Sequence, residues 1–307
     1  MTARFVSVGL RVRDVDAAAR FYREAFDADL SAPSDVRVGL ARDGELGFVV
    51  DDLDAAHARA VAAGAQVERE PRDGSAAYLD LDGNVVTLAE RRRAIRAAGV
   101  DLARGALAVV VLEGTRVVDA FRCETFADAL LVDAEVVGVD VPIGMPQAGA
   151  RAADEEARRF VGERASSVFP TPIREVLEAP TYADARRVAT ELTGKSISAQ
   201  TYALGRRILE VDEHAHRDER VIEVHPEVSF HELARRPLAS KHRLEGLVER
   251  RALLEEAGIE VPASAPRIAE PDLLDATIVA WTAERYARGD ALPLPADHTE
   301  RIGAIWR

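Results

Sequence analysis

Apolar and polar positions alternate over 5–12, which predicts a strand. Asp14-Val15-Asp16 then opens a helical stretch over 17–28, with Phe21, Tyr22 and Phe26 on or near one face. Asp14 or Asp16 is placed to cap it, because a carboxylate there accepts backbone N–H groups that lack a partner in the first turn. The same grammar returns further on: a strand at 46–50, the acidic step Asp51-Asp52-Leu53-Asp54, a helix over 55–63 and Gly64 at its end. Strands at 66–70, 76–80 and 85–89 follow, and Asp82-Gly83-Asn84 makes the last turn, where Gly and Asn supply positive φ. One strand–helix–strands unit is used twice.

From residue 97 the pattern changes. A short strand ends at Val100-Asp101, and 106–112 is continuously apolar and β-branched, as a buried strand is. Glu113-Gly114 turns the chain into a strand at 115–121, and a short helix over 125–131 leads to another buried strand at 135–140. That strand runs into Val141-Pro142-Ile143-Gly144-Met145-Pro146, whose prolines donate no ladder hydrogen bond, so pairing stops after Asp140. Helices are predicted over 151–161, 182–192 and 197–213, a strand at 220–224, and a charged helix over 242–257 closed by Gly258. The last helix, 272–288, starts beside Pro271 and sets Asp272 and Asp275 one turn apart on one face. Asp101 and Asp140 are both expected at C-terminal strand ends, where sheet proteins place ligands. The order suits one mixed sheet flanked by helices.

With 307 residues the chain has room for two domains, and the grammar changes at Arg91-Arg92-Arg93, giving 1–93 and 96–307. A net charge of −13 argues against a broadly basic nucleic-acid footprint and against tight nonspecific DNA binding. Only Lys195 and Lys241 are lysines; all other basic side chains apart from histidine are arginines. The lone Cys123 excludes an internal disulfide framework and a Cys-pair metal site. No apolar run reaches a membrane span, and the start lacks a secretory pattern, so a cytoplasmic protein without membrane partners is expected.

"GLRVRDVDAAARFYREAF" followed by "GFVVDDLDAAHARAVAAGAQV" and "LDLDGNVVTLAE" resembles the glyoxalase/bleomycin-resistance, or vicinal oxygen chelate, superfamily. The resemblance implies a small α+β module of repeated βαββ units. Enzymatic members hold a divalent metal through four strand positions. Here the first of these is Ser7, Glu45 stands where a His is common, Glu90 matches the terminal carboxylate, and no fourth ligand is found between Asp35 and Asp43. Two scattered carboxylates make no closed site, so a metal-free module for packing, small-ligand binding or homodimer formation is expected. His57 is expected to be exposed on its helix.

The blocks "GVDLARGALAVVVL", "GVDVPIGMP", "RAADEEARRFVGERASSVF", "SISAQTYALGRRILEVD", "EVHPEVSF", "SKHRLEGLVERRALL" and "DLLDATIVAWTA" occur in that order. Together they resemble a family of unknown function described as predicted nucleases of ribonuclease H fold. The resemblance implies an α/β fold with a mixed sheet flanked by helices. It carries the metal-ligand roles to Asp101, Asp140, Glu223 and Asp275, with Asp272 as a fifth because the DxxD helix also resembles Holliday-junction resolvases. Such clusters hold two Mg2+ or Mn2+ ions: one activates the attacking water, the other stabilises the leaving oxygen. His225, beside a Pro226 that reads as a conformationally fixed turn, is a candidate general base or ligand. Arg174, Gln200, Lys241 and Arg251 lie in the same blocks and are candidates for binding an anionic substrate, with an ordinary ion-paired surface role as the alternative.

The leading expectation is therefore a metal-dependent phosphodiester hydrolase acting on a nucleotide or nucleic acid. A ligand-binding or scaffold protein with a degenerate nuclease fold ranks second, favoured if ion pairs fill the acidic site. A glyoxalase-type metalloenzyme is a distant third.

Overall fold

The computed structural model describes residues 12–26, 39–40, 46–72, 74–90, 94–103 and 105–307. The chain divides into two compact units, Met1–Arg93 and Ala94–Arg307.

In the first unit the elements run α1 (Val15–Phe26), β1 (Gly39–Leu40), β2 (Leu46–Val50), α2 (Leu53–Ala62), β3 (Gln66–Arg72), β4 (Ser75–Leu79) and β5 (Val85–Glu90). Asp14 Oδ1 accepts the Ala17 amide at 2.9 Å and Asp52 Oδ1 that of Ala55 at 2.8 Å, so the two acidic steps cap the two helices. The strands form one sheet in the order β1-β2-β5-β4-β3, with β2 parallel to β5 and the other pairs antiparallel. Phe21, Tyr22 and Phe26 from α1 pack with Phe48 and Tyr78 of the sheet, and the Phe26 and Phe48 rings stack at 5.2 Å. The strand expected at 5–12 lies outside the described residues.

The second unit begins with three antiparallel strands, β6 (Arg96–Ala103), β7 (Ala106–Glu113) and β8 (Arg116–Cys123). Then come α3 (Phe126–Ala129), β9 (Val136–Val139), α4 (Ala152–Val161), α5 (Arg174–Leu177), α6 (Tyr182–Thr193) and α7 (Ala199–Ala215). The chain ends with β10 (Val221–Glu223), α8 (Pro226–Ala234), α9 (Leu244–Glu256), α10 (Glu270–Arg288), β11 (Pro293–Leu294) and β12 (Ile305–Trp306). The large sheet has the order β10-β9-β6-β7-β8, with β9 parallel to both β6 and β10. All of β7 except its last residue is buried, which explains its unbroken apolar run. A two-stranded sheet pairs β11 with β12. Among the described residues no helix is long and apolar enough to cross a membrane.

Two features of this unit position the site. Gly99 of β6 pairs with Gly138 of β9. A Cβ on Gly99 would lie 2.0 Å from the Ala276 carbonyl oxygen, and one on Gly138 would lie 2.9 Å from a Val279 methyl. The two glycines are thus a flat seat on which α10 lies directly against the strands. The sequence reading ended β6 at Asp101, but the strand continues to Ala103, because Asp101 pairs across to Ala108 of β7. On its other edge, pairing with β9 does end beside it, at Val100 and Val139. The segment after Val224, where the sequence suggested only a fixed turn at Pro226, forms α8, with Pro226 in its first turn, where a missing N–H costs nothing.

Candidate active site

Each acidic side chain reaches the site by a different route. Asp101 and Asp140 each follow a Gly-Val pair, and the Asp140 amide donates to the Val100 carbonyl at 2.9 Å, so the two acids adjoin where the β6–β9 ladder ends. Asp275 immediately precedes Ala276, the residue of α10 seated on Gly99, and so stands over the same spot. Asp101 and Asp275 are 4% and 1% exposed, while Asp140 and Asp272 are half-buried. Lys241, from the loop before α9, makes an ion pair with Asp275 Oδ2.

Burial pushes the Asp101 carboxyl well above the usual carboxylate range; the charges of Asp275, Asp140 and Asp272 push it the same way, and Lys241 opposes them. Burial also raises Asp275, but the charge and hydrogen bond of Lys241 hold it back. Burial works against the Lys241 ammonium, yet Asp275, Asp101 and Asp140 keep its pKa above the ordinary lysine value. Among the described residues, Asp101 has no hydrogen-bonded partner for its carboxylate, and no ion pair offsets its burial as Lys241 does for Asp275. A buried acid without a donor is costly unless a proton or a cation joins it.

Glu223 behaves differently. Arg151 forks onto it, Nη2 to Oε1 at 2.5 Å and Nη1 to Oε2 at 2.6 Å, and its Oε2 also takes the Ile143 amide at 2.6 Å. Arg151 in turn donates to the Ile143 carbonyl at 2.9 Å and, through Nε, to Asp154 Oδ1 at 2.9 Å. From the other side, buried Asp212 accepts the Gly144 amide at 2.8 Å and is paired with Arg174. Both carboxylates therefore clamp the Val141–Met145 segment that follows Asp140. Burial raises the Glu223 pKa, and the Arg151 charge opposes it. Glu223, expected as a metal ligand, has both oxygens engaged and holds a loop.

A narrow cleft of about 20 Å3 opens beside this clamp, lined by Asp140, Pro142, Arg151, Phe169, Glu223 and His225. His225 stands at the N-cap position of α8 without a side-chain capping bond; its Nε2 is 3.3 Å from the Ser167 carbonyl, and its buried Nδ1 has no partner among the described residues. The remaining candidates stand apart. Arg174, bound to Asp212, borders a hollow of about 460 Å3 with Glu178, Leu209 and His216. Gln200 is exposed in the first turn of α7, and Arg251 spans to Glu270 at 2.9 Å at the start of α10.

The donors suit a hard divalent ion in type: carboxylate oxygens, with Asp101 and Asp140 carrying no side-chain hydrogen bond among the described residues. Among those residues, no three His, Cys, Asp or Glu side chains are gathered into a metal-binding group. Asp275 is occupied by Lys241, so the residues fit an ion held first through Asp101 and Asp140.

A family model for a protein of unknown function (DUF429) matches residues 99–300, more than half of the chain. The chain belongs to that family. The DUF429 region takes in the Gly99 seat, the acidic cluster, the clamp and Lys241. A model for a glyoxalase-like domain matches residues 7–89. No curated protein matches the chain.

Sequence reasoning missed the buried partners in the DUF429 region: Arg151, Asp154, Asp212 and Arg250. Their signal was charge at otherwise apolar positions, as at Arg250, which is fully buried and donates to Glu227 at 2.8 Å.

In the glyoxalase-like module, Glu90 is exposed and its Oε1 lies 3.4 Å from the Leu53 amide. Ser7, Glu45 and, apart from Gly39 and Leu40, the stretch from Asp35 to Asp43 lie outside the described residues. His57 is half-buried rather than exposed, its Nδ1 2.9 Å from the Tyr78 hydroxyl, because its face of α2 packs toward β4.

Proposed function

We propose that the second unit is a divalent-metal-dependent phosphodiester hydrolase of ribonuclease H-like fold, acting on a nucleotide or a locally held nucleic acid. The observation that carries this reading is the buried carboxylate of Asp101, which has no hydrogen bond among the described residues and feels the charges of Asp140, just after β9, and Asp275 on α10. The sheet order supports it: three antiparallel strands, then two strands parallel to the first, with acids on the first strand, after the fourth and on the last helix.

Asp101 and Asp140 would hold a Mg2+ or Mn2+ ion, which when bound would supply positive charge for the phosphoryl oxygens and acidify a water. The Glu223–Arg151 clamp fixes the segment after Asp140. His225, whose Nδ1 has no partner among the described residues, lines the adjoining cleft and accepts a proton from the attacking water. A P–O bond to that water forms, the ester P–O bond breaks, and the leaving oxygen takes a proton from solvent. The N-terminal module serves small-ligand binding or homodimer formation.

The test is a manganese titration by calorimetry, with hydrolysis of bis(p-nitrophenyl) phosphate, on the wild type and on Asp101→Asn and Asp140→Asn. Binding and hydrolysis that either substitution abolishes support the reading. The ion pairs Lys241–Asp275 and Arg151–Glu223 favour a second reading, a scaffold whose acids are neutralised internally. Absence of both binding and hydrolysis in the wild type would establish that one instead.

A further inference from the structure

The acidic cluster already contains one positive charge, and the chain delivers it from a loop that is built for the purpose. Arg250, with no exposed surface, donates to the Ala239 carbonyl at 2.7 Å and to the Gly246 carbonyl at 3.1 Å. Glu249 accepts the Ala239 amide at 2.9 Å. A Cβ on Gly246 would lie 2.2 Å from the Ser240 carbonyl oxygen, so only glycine lets α9 close against this loop. Between these anchors stands Lys241, whose ammonium is bound to Asp275, itself 1% exposed. The other lysine, Lys195, is exposed. In a chain that otherwise uses arginine, the residue chosen here is the compact point charge, which resembles a metal ion more closely than a planar guanidinium does.

We propose that Lys241 takes the place of a second divalent ion, so that the site binds a single ion through Asp101 and Asp140 while the Lys241 ammonium supplies the other positive charge beside the substrate phosphate. This rests on the metal-dependent reading above. In two-metal sites the ions lie roughly 3.5–4 Å apart and share carboxylates between them. Here the carboxylate on the helix side, Asp275, is already taken by Lys241. The open donor is Asp101, buried, lacking any hydrogen bond among the described residues, and adjoining Asp140 at the end of the ladder. Lys241 is a third exposed, so the side chain that neutralises Asp275 is not sealed from solvent.

The experiment counts ions on the full chain rather than turnover. Manganese is titrated by calorimetry into the wild type and into Lys241→Met, which keeps the stem and removes the charge, and each loaded sample is examined by electron paramagnetic resonance. The wild type is expected to bind about one ion per chain with the hyperfine sextet of an isolated ion, and Lys241→Met about two with a spin-coupled signal. Two coupled ions in the wild type would overturn the inference and leave the metal-dependent reading standing, and that count decides the matter even if the variant fails to fold. A folded Lys241→Met that still binds one ion would overturn it as well. Absence of binding to either protein would remove the metal-dependent reading and this inference together.

Discussion

Arg151 and Glu223 meet through two hydrogen bonds of 2.5 and 2.6 Å, with both side chains nearly removed from solvent. Neither charge has water to fall back on, so the pair is stable only while both partners are present. Arg151→Met is expected to lower unfolding stability by about 3–5 kcal/mol, because Glu223 is left buried and uncompensated. The double variant Arg151→Met with Glu223→Leu should recover only part of that loss, since the apolar pair removes the stranded Glu223 charge while buried Asp154 still lacks the Arg151 guanidinium. Urea denaturation of the four proteins makes a double-mutant cycle. Equal losses in the single and double variants would show that the pair does not behave as a unit.

The contact of Gly99 with Ala276 predicts a second effect. A methyl group at 99 has no flexible side chain to push aside; it meets backbone of α10 at 2.0 Å. Gly99→Ala should therefore shift the helix and cost about 1–3 kcal/mol or more, as overpacking does. Gly205→Ala on α7 is the contrast: its Cβ would meet only Leu177, at 3.2 Å or beyond, and alanine favours a helix interior by about 1 kcal/mol. Thermal melts should separate the two, the first falling sharply and the second staying level or rising.

That same pair of glycines shows how much of the site was legible. Gly-Val-Asp occurs at 99–101 and again at 138–140, and the register pairs the two copies across β6 and β9. The acids were readable as strand-end residues, whereas the glycines were readable only as part of a quoted motif. Their reason is a helix more than 130 residues away in sequence, which no local pattern contains. Long apolar runs gave β7 and β9 directly, and the caps Asp14 and Asp52 gave both helices of the first unit. Glu223 shows why the partner of a buried acid is hard to read from sequence. A carboxylate at the end of a buried strand looks alike whether it faces a metal or an arginine, and only the fold brings Arg151 to it. α8 was missed because Pro226 reads as a turn signal, whereas it sits in the first turn of a helix.

In the first unit, Tyr22 donates to Asp80 Oδ2 at 2.7 Å, and Asp80 also accepts the amides of Asp82 and Asn84 and the Asn84 side chain. Burial tends to raise the Asp80 pKa, but these four donors bring it below the usual value. Tyr22→Phe removes one donor of four and should cost about 0.5–1.5 kcal/mol. Asp80→Ala removes the acceptor of the whole turn and should loosen it far more. Hydrogen exchange read by mass spectrometry over residues 75–90 should show a small rise in the first variant and a large one in the second. Equal exchange in both would mean that Asp80 does not hold this turn.

The acidic cluster predicts the response to pH. Asp101 has a pKa raised above the unfolded aspartate value of about 3.9, so between the two values the folded state binds more protons than the unfolded one. Stability contributed by this group is fully present below about pH 4 and is lost as pH rises through the raised value. Asp80 has the opposite sign: its lowered pKa adds stability that is present above the unfolded value and lost as pH falls. The two contributions belong to different units, and Asp101→Asn isolates one of them. In the second unit, followed by exchange of the amides on β6 and α10, protection of the metal-free protein should weaken as pH rises above 4, and Asp101→Asn should flatten that slope. Manganese should have the reverse effect, because an ion competes with the proton for Asp101 and stabilises the folded chain most where the carboxylate is otherwise bare. A slope that persists unchanged in Asp101→Asn would place the cluster's proton elsewhere.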